Sequence, residues 1–187
     1  MPIEKTIEVV TKLADQGVIK RYAIAGAVAA LNYIEPTLTA DLDILISAAD
    51  FESHGSGLIL PTPIDQALAA LGYTERSDVG YVIEGWPVQF LPIAGPLDEE
   101  ALDQAVEIDI ERKGRPPLKA RCLRAEHLVA MAVKLGRPKD WARIAAFLEE
   151  GAVDKAALTG VLERHGLVGD WKSFCVRTGI KNPLNLE

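Results

Sequence analysis

No apolar run in the chain approaches the roughly 20 residues that a membrane-crossing helix needs, so no transmembrane helix is expected. The N-terminal stretch MPIEKTIEVV carries acid and has no continuous apolar centre, which argues against an export signal and leads us to expect a cytoplasmic protein. Cysteine is scarce. Cys122 and Cys175 lie far apart, with no CxxC and no Cys/His ligand spacing, so both are expected to be reduced thiols that fill space, and a zinc site is not supported. The three histidines add little: His127 and His165 fall on helical stretches with no ligand-type residue at useful spacing, and His54, in His54-Gly55-Ser56-Gly57, is a candidate phosphate or base group for which a surface-loop residue is the plainer reading. Positive charge is also short, and a net charge of -7 argues against general affinity for nucleic acid. Internal repeats and low-complexity tracts are absent.

What is present is the balance of a folded globular chain, with 49% hydrophobic and 25% charged residues over 187 positions. That length suffices for one well-buried core with a helical C-terminal extension. The charge is unevenly placed. Residues 112–143 hold ten Lys/Arg against only Glu126 and Asp140, whereas the remainder holds ten against 25 acids. A basic segment on an acidic body can receive phosphates locally, but the plainer reading is a solvated helical face and an exposed hairpin.

Periodicity places a first helix over Ile3 to Asp15, with Ile3, Ile7, Val10 and Leu13 on one side and Gly17 as its stop. A short apolar run, Tyr22 to Ala25, reaches Gly26 and turns into a helix over 27–35, which Pro36 closes. A strand follows at Leu42 to Ile46, then a loop from Ser47 to Pro63 and a helix over Ile64 to Leu71. Alternating runs at Gly80 to Glu84 and Pro87 to Ile93 predict a hairpin turning at Gly85-Trp86. A short helix at Asp98 to Ala105 precedes strands at Val106 to Ile110 and Leu118 to Leu123, joined by a turn over Lys113 to Pro117. Helices then fill Ala125 to Leu135, Lys139 to Glu149 and Lys155 to His165. Strands mix with helices early and helices alone come late, so the expected class is α+β: a small mixed sheet with flanking helices over residues 1–123 and a helical lobe packed on it over 124–187.

The stretch Thr39-Ala40-Asp41-Leu42-Asp43-Ile44-Leu45-Ile46-Ser47 sets two carboxylates two residues apart in an apolar run. On a strand such residues point the same way, with Cα atoms about 6.5–7 Å apart. Two unpaired carboxylates side by side repel each other, and a divalent cation between them removes the conflict. Magnesium suits such a pair because it takes oxygen ligands and keeps positions open for water and phosphates. A DxD alone is a weak signal and equally describes an exposed strand edge. Upstream, Gly26 lies where a strand turns into a helix, which offers free N–H groups to an anion.

The segment AIAGAVAALNYIEPTLTADLDILI resembles the signature of the nucleotidyltransferase superfamily with the DNA polymerase beta-like fold: Ala25-Gly26-Ala27, a thirteen-residue spacer, then Asp41-Leu42-Asp43-Ile44. A second block, Leu123 to Ile144, resembles the helical segment of bacterial nucleotidyltransferase-like proteins that include abortive-infection toxins of toxin–antitoxin systems, through Lys134-Leu135 and Arg137-Pro138-Lys139-Asp140. The resemblance implies Mg-dependent transfer of a nucleoside monophosphate from an NTP to a hydroxyl acceptor on tRNA, a protein or a small molecule, with an antitoxin as a further partner. It implies one or two magnesium ions on Asp41 and Asp43, phosphate contacts from Gly26, Ala27 and Thr39, and charge neutralisation by Lys134 and Arg137, with Asp140 orienting the triphosphate or a neighbouring Arg.

Three positions depart from the pattern. Gln89 stands where such proteins carry a third carboxylate, and an amide cannot take a proton from an attacking hydroxyl. Ala27 replaces Gly or Ser, and Thr37 stands where Arg is usual. Glu84, beside the hairpin turn, is the nearest substitute acid, although a solvated turn residue is the simpler reading. The same residues therefore also fit a member of the fold that binds a nucleotide, RNA or a protein partner without catalysis. A purely structural interaction domain is the third reading.

Overall fold

The computed structural model describes residues 3–35, 39–47 and 62–184. The chain divides into two compact units, one comprising residues 1–28 and 38–123 and the other residues 29–37 and 124–187. Thr37 and His54 lie outside the described residues, as does most of the loop expected between Ser47 and Pro63.

The first unit is built on one seven-stranded mixed sheet: β1 (Tyr22–Ala25), β2 (Leu42–Ile46), β3 (Arg76–Ser77), β4 (Gly80–Ile83), β5 (Trp86–Pro92), β6 (Val106–Arg112) and β7 (Arg115–Cys122), in the spatial order β3-β4-β5-β2-β1-β7-β6. The two most apolar strands sit in the middle. All of β1 is buried, and in β2 only Asp43 is not. A strand covered on both faces reads as a continuous apolar run, so the single acid within LDILI marks the one place where that covering opens. β2 runs antiparallel to β1 and parallel to β5, pairing Asp43 with Ala25 on one side and Gln89 on the other.

Helices α1 (Ile3–Asp15), α3 (Thr62–Ala70) and α4 (Pro96–Asp103) belong to this unit. α1 buries Ile7, Val10 and Leu13 on its apolar side, and the Thr6 hydroxyl donates to the Ile83 carbonyl of β4 at 3.0 Å. It stops at Gly17, which adopts φ 71° and donates its N–H to the Ala14 carbonyl. α3 anchors through Ile64 and Leu68, both fully buried. At the start of α4, the buried Asp98 carboxylate accepts the Ala94 N–H at 2.9 Å.

Several expected elements differ. The helix expected over 27–35 is only Gly26–Ala30 (α2), after which Asn32, Tyr33 and Ile34 donate to the Ala29 and Ala30 carbonyls in a run of turns. These three residues are weaker helix formers than the preceding alanines, and Pro36 steers the residue before it away from helical backbone. The β4–β5 hairpin turns at Glu84-Gly85, not Gly85-Trp86, with φ of 50° and 79°. A two-residue turn with both φ positive matches strand twist, and Trp86 instead pairs with Ile83 in the ladder. β7 begins at Arg115, upstream of the expected Leu118, despite Pro116 and Pro117. The short β1 pairs with β7 at Ile24 and Cys122, and the β6 register shifts between Ile110 and Arg112, so the two prolines remove no ladder bond. β3 and α8 (Val168–Thr178) were not expected at all.

The second unit holds α5 (Ala125–Leu135), α6 (Pro138–Glu149), α7 (Lys155–Arg164) and α8. Its core gathers Val129, Ile144, Phe147, Leu158, Leu162 and Trp171, and the Tyr33 ring lies 6.2 Å from that of Phe147. Truncating a large buried side chain of this kind costs about 2–5 kcal/mol. The Trp171 indole N–H donates to Asn182 at 2.8 Å, and Asp154 caps α7 by accepting the Ala157 N–H. Cys122, in the first unit, and Cys175, in the second, are buried and form no disulfide. Among the described residues no helix is long and apolar enough to cross a membrane.

Candidate functional site

β1 ends where the chain must turn sharply, and Gly26 makes that turn with φ 60°, a left-handed conformation that costs a residue with a Cβ about 1–2 kcal/mol. A second reason for glycine is the close approach of a carboxylate. A Cβ built on Gly26 would stand 2.0 Å from Asp43 Oδ2 and 2.9 Å from its Cγ. The Asp43 side chain is therefore laid against the bend that opens α2, held there because β2 pairs with β1 in the register Ala25 to Asp43.

Gln89 lies on the other side of Asp43. The two are direct partners in the parallel β2–β5 pair, so their side chains emerge on the same face from strands about 4.8 Å apart. Asp41 immediately precedes β2 and is half-buried, as are Asp43 and Gln89. Thr39 donates its hydroxyl to the Asp41 carbonyl at 3.0 Å, so in this arrangement its proton fixes the approach to the strand. The methyl of Ala27 is buried just inside α2. Glu84 is committed elsewhere: its carboxylate accepts the Tyr73 hydroxyl at 2.6 Å, a hydrogen bond that, with burial, pushes the Tyr73 phenol up to about 12. Among the described residues there is no group of three or more His, Cys, Asp or Glu able to hold a metal ion.

The remaining sequence-derived residues belong to the second unit. Lys134 is exposed in the last turn of α5, which Gly136 ends in the left-handed conformation. Arg137 and Asp140 form a reciprocal cap at the start of α6: Asp140 accepts the Arg137 backbone N–H at 3.3 Å and its guanidinium at 2.6 and 3.1 Å. Asp140 is fully buried, and Arg143, one turn further along, approaches it at 3.8 Å. The sequence reading missed Arg143, although its i+3 spacing from Asp140 was the available signal. The Asp140 carboxylate thus has a local task, fixing Arg137 and the first turn of α6.

No protein-family model matches the chain, and no curated protein matches it in sequence. Solved structures do. The antibiotic-resistance factor ANT(2'')-Ia, in its solution structure, superposes over 96% of this chain and 100% of its own at TM-score 0.50 and 15% identity. Its architecture is that of a nucleotidyltransferase. This chain has the nucleotidyltransferase fold. Two weaker likenesses are an antigenic nucleotidyltransferase-like protein from Paracoccidioides brasiliensis (TM-score 0.48, 14% identity, 79% of this chain and 74% of that one) and ANT(2")-Ia in complex with adenylyl-2"-tobramycin (TM-score 0.45, 16% identity, 92% and 97%).

Asp41, Asp43 and Gln89 carry two carboxylates and a neutral amide, side chains that offer oxygen to a cation. Hard oxygen donors with no histidine or thiol suit magnesium and not zinc. Magnesium commonly takes one or two protein carboxylates and fills its remaining positions with water and substrate phosphate, so the chemistry of two acids is compatible with it.

Proposed function

We propose that the protein binds a nucleoside triphosphate with magnesium and transfers its nucleoside monophosphate to a hydroxyl acceptor. The observation that carries this reading is the Asp43 carboxylate held against the Gly26 bend, in register with Gln89, in a fold shared with ANT(2'')-Ia. Asp41 and Asp43 would hold the ion, which when bound neutralises triphosphate charge and lowers the pKa of a hydroxyl beside it. Gly26 and Ala27 would offer their backbone N–H groups to a phosphate oxygen. For Lys134 and Arg137 the assignment to the triphosphate rests on sequence resemblance alone, as does a role as the toxin of a toxin–antitoxin pair.

In the transfer, the acceptor oxygen bonds to the α-phosphorus as the bond to pyrophosphate breaks. The acceptor proton must go elsewhere, and Gln89 cannot take it. Either water or the substrate accepts that proton, at a cost in rate, or transfer does not occur and the protein is a nucleotide-binding member of the fold. The place of Gln89 beside Asp43 is the specific observation that favours this second reading.

An α-32P-labelled set of four NTPs, offered with magnesium to tRNA, protein and small hydroxyl acceptors, separates the two. Transfer predicts label on one acceptor class and none with an Asp43→Ala variant. Bound nucleotide with no labelled acceptor supports the binding reading, and the absence of any nucleotide binding overturns both.

A further inference from the structure

A cavity of about 330 Å³ opens at the other end of β1 from Gly26, lined by Ala14, Asp15, Lys20, Tyr22, Leu102 and Arg121 among others. A second, of about 400 Å³, shares Ala14, Asp15, Tyr22 and Arg121 with it, so the two form one groove past the C-terminal end of α1. Both lie wholly within the first unit. β1 runs from Tyr22 to Ala25 at about 3.3 Å per residue, which sets this groove about 10 Å or more along the strand from the Asp43 bend.

The groove is notable for which charges are spent and which are not. Arg21 is engaged by Glu99 and Asp103 of α4, and Lys119 is engaged by Glu107 and Asp109 across the β6–β7 ribbon. Arg121 gives one guanidinium N–H to the Ala105 carbonyl at 2.8 Å, which steadies it; Glu107 stands opposite it in the β6–β7 ladder but is engaged by Lys119, and among the described residues Arg121 makes no ion pair. Among the described residues, Lys20 and Asp15 make no ion pair.

Asp15 is also misplaced for stability. It is the last residue of α1, where the helix presents its negative pole and an acid is unfavourable. That pole and the Asp15 carboxylate together favour a cation at one end of the groove, while Lys20 and Arg121 favour an anion. Ala14, Tyr22 and Leu102 supply apolar wall between them.

We propose that this groove binds a small zwitterion of the amino-acid class, its ammonium on Asp15 and its carboxylate on Lys20 and Arg121. A zwitterion satisfies both poles at once, whereas a simple anion meets the repulsion of Asp15 and a simple cation that of Lys20 and Arg121. The cavity volume lies at the lower end of the range of small-molecule sites, about 300–1,000 Å³. The site is independent of the nucleotide reading and needs neither NTP nor magnesium.

The test is calorimetry and thermal shift on the full chain with each of the twenty free amino acids at millimolar concentration. At least one is expected to bind, and its N-acetyl and its amide derivatives, which each delete one charge, are expected to bind about tenfold or more weakly. Asp15→Asn should weaken the free amino acid by a similar factor while leaving the N-acetyl derivative unchanged, and Lys20→Gln should do the same with respect to the amide. Both residues are surface-facing, so neither variant threatens folding. Failure of all twenty to bind, or binding indifferent to Asp15→Asn and Lys20→Gln, overturns the proposal.

Discussion

Gly26→Ala isolates the contact on which the site is built. The added methyl carries two costs that can be separated. Left-handed backbone at φ 60° costs about 1–2 kcal/mol for alanine. The Cβ would also sit 2.0 Å from Asp43 Oδ2 and 2.9 Å from Cγ, so the carboxylate must leave its place or the strands must part, an overpacking cost of about 1–3 kcal/mol. The sum is about 2–5 kcal/mol. Gly17 supplies the control, since its φ is 71° and a Cβ there meets nothing within 4 Å; Gly17→Ala should cost only the backbone share, about 1–2 kcal/mol. A second control is Gly26→Ala in an Asp43→Ala background, which removes the two shortest contacts and leaves one at 3.1 Å to the residue 43 Cβ. Urea unfolding of the four variants and the parent gives the coupling directly, and about 1–3 kcal/mol of the Gly26→Ala cost should be recovered. Equal costs for Gly26→Ala and Gly17→Ala, with no recovery in the Asp43→Ala background, would refute the placement of the carboxylate.

Other consequences follow from single residues. If transfer is limited by the acceptor proton, Gln89→Asp should raise turnover by about 10²-fold, the lower range for positioned general-base catalysis, in the labelled-NTP assay; unchanged turnover would sink that account of Gln89. Asp140→Ala should cost about 2–3 kcal/mol in urea unfolding, because it strips the α6 cap and the partner of two arginines; the figure stays below that of a fully buried pair because Arg137 reaches solvent. Burial pushes the Cys122 thiol up to about 12 from 9.0, so between those two values it stays neutral in the folded state and ionises in the unfolded one. This group therefore costs nothing below the unfolded pKa near 9.0, and stability falls as pH rises from there towards 12, by about 1.4 kcal/mol per unit. Cys122→Ala should flatten the stability profile between pH 9 and 11 relative to the parent, and parallel profiles would contradict it.

The parts of the fold legible in the sequence were those whose pattern and punctuation agree. α1, β2 and α5 lie at the expected bounds because each is an apolar pattern bracketed by a stop or turn residue, such as Gly17 or Gly136. α2 was overextended because its alanines suggest a helix that Asn32, Tyr33 and Ile34 do not continue. α8 escaped notice because Gly169, Ser173 and Cys175 are weak helix formers; its helicity comes from burying Trp171 and Phe174 one turn apart, a tertiary gain that propensity does not register. β3 is two residues long and exists by pairing with β4. At the site, the DxD and the glycine could be read from spacing, but their contact could not, since seventeen positions separate Gly26 from Asp43 and only the β1–β2 register brings them together. The in-register position of Gln89 likewise depends on strand order.

The most direct test of the central claim is titration calorimetry with an NTP, with and without magnesium, on the parent protein and on Asp41→Ala and Asp43→Ala. The account predicts magnesium-dependent binding by the parent and a loss of about tenfold or more in each variant. Equal binding by all three, or binding indifferent to magnesium, would contradict it.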